Sequence, residues 1–126
     1  TSSLRRAIAV YVVMGVIGAL MILFSPAEEA HAHGLNPCVV ALTYVWPART
    51  HKRILAISWR ESRHTEWIQN KRSMGRRWGR ATGCLQILPG VARNIGVHCD
   101  LRHAWCNSYA GYTLYKRMGW SPWRVR

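Results

Sequence analysis

The sequence predicts a small, mostly α-helical domain that follows one hydrophobic segment near the N-terminus. Three observations support this fold class. The chain has 126 residues, which is enough for one small domain and an anchor but not for two domains. Residues 7–24 form an uncharged apolar run, and few later segments alternate apolar and polar residues as strands do. Hydrophobic residues make up 49% of the chain, which excludes a disordered basic tail.

The apolar run over residues 7–24 has the minimum length for a helix that crosses a bilayer. Arg5 and Arg6 precede the run and two glutamates follow it, so the positive-inside rule places residues 1–6 on the cytoplasmic side. A cleaved signal peptide is the alternative, with Ala30-His31-Ala32 as its cleavage site. Because the run is long for the hydrophobic part of a signal peptide, we expect a retained transmembrane helix.

A polar linker over residues 25–37 then leads into a single domain over residues 38–126. Three segments of this domain are predicted to be helical: Thr50–Asn70, Pro89–Asn94 and Trp105–Met118. The first lacks Pro and Gly, the second has Pro in its first turn, and the third is followed by Gly119. Between the first two, residues 71–82 are predicted to form a basic loop that contains glycines.

Four cysteines follow the apolar run, which predicts two disulfide bonds in a small exported domain. Three pairings are possible, and we favour Cys99–Cys106 together with Cys38–Cys84. Four free, buried thiols are the main alternative. A zinc site formed by Cys99, Cys106 and nearby histidines is a further alternative, although their spacing fits no standard structural site.

The chain carries a formal net charge of +13, from 18 Lys and Arg residues and only 5 carboxylates. So few carboxylates argue against a calcium cage or a two-metal carboxylate site. The positive charge attracts polyanions such as cell-wall polymers, anionic lipids or nucleic acids. No nucleic-acid recognition motif is present, so we expect no specific nucleic-acid partner. The cations of the basic loop are Lys71, Arg72, Arg76, Arg77 and Arg80.

Glu61 occupies an unusual position for a charged residue. On a helical wheel it lies in the middle of the apolar face of the main predicted helix, which comprises Ile54, Ile57, Thr65 and Ile68. Glu61 is therefore expected to point toward the core or into a cleft wall, where burial raises the pKa of a carboxyl group and suits it to acid catalysis. A buried structural glutamate paired with an arginine is the alternative. Glu66 falls on the opposite side, as a solvated partner of Arg63.

Two motifs resemble those of lysozyme-like lytic transglycosylases. Ile54–Ser62 (ILAISWRES) resembles the helix that carries the catalytic glutamate of that family in a Glu-Ser pair. Ala81–Pro89 (ATGCLQILP) resembles the family motif Ala-x-Gly-Leu-Met-Gln-Ile-x-Pro, with Cys84 in place of an apolar residue. The likeness covers residues 50–123 and continues through Ala92-Arg93, Gly96, Asp100-Leu101, Asn107, Ala110-Gly111-Tyr112 and Gly119–Trp123.

The resemblance implies that Glu61 alone acts as acid and base in cleaving the MurNAc–GlcNAc bond of peptidoglycan, without a cofactor or a metal. The glutamate protonates the glycosidic oxygen, and the C6 hydroxyl of the substrate then closes a 1,6-anhydro ring. Plain hydrolysis would use the same glutamate. The residues implied to orient Glu61 or to contact the substrate are Ser62, Gly83, Gln86, Asn107 and Tyr112.

One family motif, a later Tyr-Asn-Ala-Gly, is absent from this sequence. Tyr109, Tyr112 or Tyr115 is expected to replace its contact with the sugar. Alternatively, Trp120 and Trp123 form part of the cleft wall.

The anchor and the resemblance together predict a single-pass membrane protein whose C-terminal domain is exported to the periplasm or cell wall. The Trp-x-Pro-Trp ending resembles the shorter phage and actinobacterial members, which suggests a bacteriophage virion protein, with a virion internal membrane as an alternative location. The expected partners are glycan strands, the membrane through residues 7–24, and other virion or envelope-complex proteins. A cell-encoded enzyme of a secretion or pilus system is the alternative context.

Two other function classes fit the same sequence features. One is a lysozyme-like module without activity that binds glycan or has a structural role in the membrane. The other is a basic membrane protein that binds nucleic acid.

Overall fold

The computed structural model describes residues 35–124. The predicted transmembrane helix and most of the predicted linker lie outside these residues. The elements in chain order are α1 (Pro37–Val45), a 3-10 turn (Ala48–Thr50), α2 (His51–Ser62), β1 (Gln69–Ser73), β2 (Arg80–Thr82), α3 (Pro89–Asn94), α4 (Ala104–Met118) and a final 3-10 turn (Ser121–Trp123). Within residues 35–124, no helix is long and apolar enough to cross a membrane.

The mostly helical class is confirmed in part, because about half of the described residues are helical and a small two-stranded sheet accompanies them. The predicted basic loop over residues 71–82 is wrong at its two ends. There β1 and β2 pair as an antiparallel hairpin, with Gln69 opposite Thr82. Gly75 and Gly79 adopt positive φ in the connection between the strands. Every residue of β1 is exposed, so no alternation of apolar and polar residues marks this strand in the sequence.

Helix α2 ends at Ser62, whereas the sequence predicted a helix from Thr50 to Asn70. Arg63 and His64 both adopt the left-handed conformation and turn the chain away from the helix axis. The Ser62 hydroxyl accepts the backbone N–H of Thr65 at 3.2 Å, which gives this N–H a partner outside the helix. The predicted extension beyond Ser62 is therefore wrong, and no Gly or Pro marks the exit in the sequence.

The two later predicted helices are confirmed as α3 and α4, and α4 begins one residue earlier than predicted. Helix α1 was not predicted, and its first residue falls at the end of the predicted linker. Asn36 caps this helix, because its side-chain oxygen accepts the N–H groups of Cys38 at 2.9 Å and Val39 at 3.3 Å.

The core lies where α1, α2 and α4 meet. Ser108 of α4 donates its hydroxyl to the carbonyl of Ala41 at 2.9 Å, and the indole N–H of Trp46 donates to the carbonyl of Ser108 at 3.1 Å. Trp46 is buried at the end of α1. Its indole contacts four aromatic rings: those of Tyr112, Tyr115, Trp120 and Trp123.

Both favoured disulfide bonds are confirmed. Cys38–Cys84 joins α1 to the turn that follows β2, and Cys99–Cys106 closes a short loop into α4. All four cysteines lie within residues 35–124 and none is free, so the alternative of unpaired thiols is wrong. The second bond also occupies the two sulfurs of the alternative zinc site.

Candidate functional site

The candidate site surrounds residues 83–86, a tight turn between β2 and α3 that we call the site turn. Thr82 and Ile87 close this turn with an antiparallel bridge, in which Thr82 N–H donates at 3.0 Å and Ile87 N–H at 3.1 Å. The site turn includes Gly83, Cys84 and Gln86 of the second motif. Its backbone conformation is therefore fixed by hydrogen bonds rather than by the flanking helices alone.

Two neighbouring elements hold the site turn. The Ser62 hydroxyl at the end of α2 lies 2.8 Å from the Cys84 carbonyl oxygen. The indole N–H of Trp123 donates to the Leu85 carbonyl oxygen at 3.1 Å. The two motifs are separated by 18 residues in the sequence, and the structure brings the end of α2, the site turn and the C-terminal segment together.

Glu61 lies on the last turn of α2, next to Ser62, and 28% of its side chain is exposed. This partial exposure excludes full burial in the core, but Glu61 lines neither of the two clefts described below. Its Oε1 accepts hydrogen bonds from Nη2 of Arg60 at 2.9 Å and from Nε at 3.2 Å. Nη2 of Arg60 also donates to the Trp123 carbonyl oxygen at 2.6 Å. Glu61 is thus paired with an arginine, as in the alternative from the sequence, but it is accessible to a ligand.

Sequence reasoning missed Arg60, because neighbouring residues on a helix do not normally face each other. The contact forms because the guanidinium bends back along the helix end toward Trp123 and passes Glu61 on the way. This contact occupies Oε1 of the Glu61 carboxylate.

The helical-wheel prediction for Glu61 and Glu66 is correct only up to Ser62, where α2 ends. Ile54 and Ile57 are buried as expected. Beyond Ser62 the wheel no longer applies, and Ile68 is exposed on the path to β1. The predicted Glu66–Arg63 pair is wrong. Oε2 of Glu66 instead accepts the N–H of Ala104 at 3.2 Å, at the N-terminus of α4, where a negative charge is stabilising.

Asn107 is fully buried beneath the site turn. Its Nδ2 donates to the carbonyl oxygens of Thr82 at 2.7 Å and Leu101 at 2.9 Å, while its Oδ1 accepts the N–H of Leu85 at 2.8 Å. Both amide protons and the amide oxygen are therefore occupied by backbone groups. Asn107 therefore stabilises the site turn and has no free amide group for contact with a sugar.

Gly83 and Ser62 also serve the backbone. Gly83 has a φ of +78°, and a Cβ on it would collide with the Asn107 amide and the Leu101 carbonyl oxygen. The buried Ser62 hydroxyl contacts the Cys84 carbonyl and the Thr65 N–H, with no hydrogen bond to Glu61. Both residues therefore stabilise the backbone conformation of the site turn.

Gln86 is the member of the site turn with a partly exposed side chain. Its φ is +51°, a conformation that costs a non-glycine residue about 1 kcal/mol and that clusters at functional sites. Its Nε2 donates to the carbonyl oxygens of Gly83 at 3.1 Å and Ile68 at 3.2 Å. Among the described residues no donor reaches its Oε1. That oxygen is oriented by the two amide hydrogen bonds and remains available as an acceptor.

Gln86 and Trp123 line the same cleft of about 230 Å³, together with apolar side chains of α3 and α4. Trp120 and Trp123 line a second groove between α2 and the C-terminal segment. Tyr112 lines neither one and packs against Trp46 with a ring separation of 5.4 Å. The structure therefore favours the tryptophans as cleft walls over Tyr112 as the aromatic contact.

Asp100 lies in the loop before α4, and its carboxylate is paired with an arginine. The guanidinium of Arg102 donates to both carboxylate oxygens, at 3.1 and 3.0 Å. These hydrogen bonds lower the pKa of Asp100 to about 2, so its carboxyl remains ionised near neutral pH.

No protein-family model, curated protein or solved structure matches this chain.

Proposed function

We propose that this protein is a peptidoglycan lytic transglycosylase that cleaves the MurNAc–GlcNAc bond, with Glu61 as its single acid and base. One observation carries the proposal. Helix α2 carries the accessible carboxylate of Glu61, and the site turn carries the oriented, free amide oxygen of Gln86. The Ser62–Cys84 contact holds these two elements together, and Trp123 also contacts the site turn. An acid and a polar group that can orient a sugar are the two groups that the proposed reaction needs.

The proposed reaction needs one proton on one carboxyl group. Protonated Glu61 donates to the glycosidic oxygen as the bond to the MurNAc carbon breaks, and the N-acetyl group of the substrate stabilises the resulting cation. The same carboxylate then removes the proton of the C6 hydroxyl, whose oxygen closes the 1,6-anhydro ring. Glu61 is thereby restored to its protonated form. Gln86 accepts a hydrogen bond from an N–H or a hydroxyl of the sugar through its free oxygen.

The state of the other carboxylates supports a mechanism with a single acid. Residues 35–124 contain two further carboxylates, and both have structural partners. Glu66 accepts the N–H at the start of α4, and Asp100 pairs with Arg102. Most glycosidases use two carboxylates that flank the bond, so a substrate that supplies its own nucleophile suits this arrangement better.

The proposal also includes a setting for the enzyme. Residues 7–24 anchor it in a membrane, and the domain acts on the wall from the periplasm or from a phage virion. The cations of the hairpin, which is exposed along β1, attract the anionic wall. These parts of the proposal rest on sequence features.

The decisive experiment is mass spectrometry of glycan fragments released from purified peptidoglycan by wild type, Glu61→Gln and Glu66→Gln. Removing the acid should reduce the rate about 10²–10⁴-fold. Glu66→Gln, which removes the same charge from a carboxylate with a structural contact, should retain activity. Products with 1,6-anhydro ends from wild type and Glu66→Gln alone would support the proposal. Products with reducing ends would replace transglycosylation by hydrolysis while keeping Glu61.

A non-catalytic glycan-binding module is the second candidate, because the Arg60–Glu61 ion pair gives the glutamate a structural partner. This candidate predicts that wild type and Glu61→Gln bind insoluble peptidoglycan equally and release no fragments. Far-UV circular dichroism and the mass of the intact disulfides would show that both proteins are folded. That result would refute the enzymatic proposal.

A further inference from the structure

The groove between α2 and the C-terminal segment is lined by apolar, aromatic and arginine side chains. Its volume is about 390 Å³. Ala56 and Ile57 supply apolar surface from α2, and Trp120 and Trp123 supply aromatic surface from the C-terminal segment. Three arginines complete the lining, and we call it the arginine groove: Arg53, Arg60 and Arg124.

Within residues 35–124, the arginine groove has an excess of positive charge. No carboxylate of these residues lines it, and of its three arginines only Arg60 contacts one, namely Glu61. The other two carboxylates of residues 35–124 are engaged by Ala104 and Arg102. Three guanidinium charges against one carboxylate leave a surplus of two positive charges, which fits a ligand group with two negative charges.

Two of the guanidinium groups are already held in place. Arg53 lies over the ring of Trp120, with its Cζ 4.6 Å from the ring centroid. Arg60 is fixed by its 2.6 Å hydrogen bond to the Trp123 carbonyl oxygen. A guanidinium has five N–H donors, so both residues retain donors for a ligand. Planar groups held in this way bind carboxylate or phosphate oxygens at a smaller entropic cost than free surface arginines do.

Arg60 connects the arginine groove to the proposed acid. The same guanidinium contacts Glu61 on one side and lines the groove on the other. An anion bound in the groove therefore competes with Glu61 for Arg60. When the anion draws the guanidinium away, Glu61 loses its ion pair with Arg60, and its Oε1 becomes free to contact the substrate.

We propose that the arginine groove binds the carboxylates of the peptide part of peptidoglycan, and that this binding releases Glu61 from Arg60. The proposal rests on the proposed function and extends it to substrate recognition. The apolar and aromatic walls fit the aliphatic portion of a peptide, and the arginines fit its carboxylates. Phosphate groups share this oxyanion chemistry, so the test includes both.

The first arm of the test measures binding by calorimetry with the full chain in mild detergent. The probes are tricarballylate, which is a tricarboxylate, and inorganic pyrophosphate. Arg53→Gln and Arg124→Gln should each weaken tricarballylate binding about tenfold, the loss of one charge-assisted contact. Arg117→Gln is the matched control, since Arg117 is exposed on α4 and lines neither cleft. It should change binding less than about twofold.

The second arm measures cleavage of glycan strands whose peptide carboxylates are either free or amidated. Wild type should show a kcat/KM about tenfold higher for the free form, as expected from one lost charge-assisted contact. This preference should disappear in Arg53→Gln but persist in Arg117→Gln. Equal cleavage of both strands, together with arginine-dependent pyrophosphate binding, would assign the groove to phosphate and overturn the peptide assignment.

The two proposals fail in different ways. Absence of saturable binding, or equal weakening in Arg117→Gln and Arg53→Gln, would overturn the arginine groove even if wild type releases fragments. Saturable, arginine-dependent tricarballylate binding without fragments would overturn the enzymatic function and retain the groove as a carboxylate site.

Discussion

Replacing Asn107 tests whether this residue holds the site turn or touches the substrate. Asn107→Ala removes three buried hydrogen bonds at once: those to Thr82, Leu85 and Leu101. The three backbone groups would remain buried without partners, because the site turn and the start of α4 cover them. The resident side chain is fully buried, so water does not replace it without rearrangement.

The expected loss follows from these contacts. Each hydrogen bond contributes about 1 kcal/mol, and the cavity and the unpaired groups raise the total to about 3–5 kcal/mol. A small domain has a free energy of unfolding of about 5–15 kcal/mol, so the variant should fold but with a much lower midpoint. Asn107→Asp keeps the volume and the bond to Leu85, yet it places an oxygen against two carbonyl oxygens. It should therefore destabilise the domain at least as much at neutral pH.

Urea unfolding followed by far-UV circular dichroism, with both disulfides intact, measures this effect. Activity measured at a temperature where the variant is folded separates the two roles. A structural Asn107 predicts a large loss of unfolding free energy with a nearly unchanged KM. A change below about 1 kcal/mol for Asn107→Ala, together with a raised KM, would refute the assignment drawn from the hydrogen bonds.

Three further outcomes are expected. Gly83→Ala should lower the free energy of unfolding by about 2–4 kcal/mol, because the added Cβ collides with buried polar atoms. Gly96 has a similar φ, but the space around it is open, so Gly96→Ala should lower it by only about 1 kcal/mol in the same urea assay. Replacing Cys38 and Cys84 by Ser should cost about 4 kcal/mol, since their bond closes a loop of sequence separation 46, and a loss below about 1 kcal/mol would contradict this entropic account. Burial lowers the pKa of His64 below its usual value of 6.5. The neutral imidazole therefore stabilises the folded domain above pH 6.5, and this stability should be lost as the pH falls through the lower pKa of the folded state. His64→Gln should flatten this pH dependence in thermal unfolding.

Much of the local structure was predictable because it depends on short-range signals. The helix that becomes α3 has Pro in its first turn, and α4 gives way to non-helical backbone at Gly119. The even cysteine count predicted two disulfide bonds, and of the three possible pairings the favoured one is confirmed. Helix α1 also has such a signal, an Asn cap followed by Pro37, but this dipeptide falls within the segment assigned to the linker.

The errors come from contacts that a sequence does not display. Arg63 and His64 take the left-handed conformation without being glycine, so the end of α2 had no visible mark. The hairpin is exposed along β1 and lacks the alternation that reveals half-buried strands. The partners of Asn107 are backbone groups from three separate segments, which only the folded chain brings together. The sequence alone therefore does not distinguish a buried, structural asparagine from one that contacts a sugar.

The aromatic cluster around Trp46 gives the protein an internal optical probe. Near-UV circular dichroism reports aromatic side chains held in fixed packing, and it disappears when that packing is lost. The ring of Trp46 is stacked on Trp120 at 5.9 Å and lies 6.1 Å from Trp123, which itself is hydrogen-bonded to the site turn. Trp120 lines the arginine groove, and Trp123 lines both this groove and the cleft beside Gln86. One label-free spectrum therefore follows the assembly of the core and reports any ligand that alters the packing of these rings.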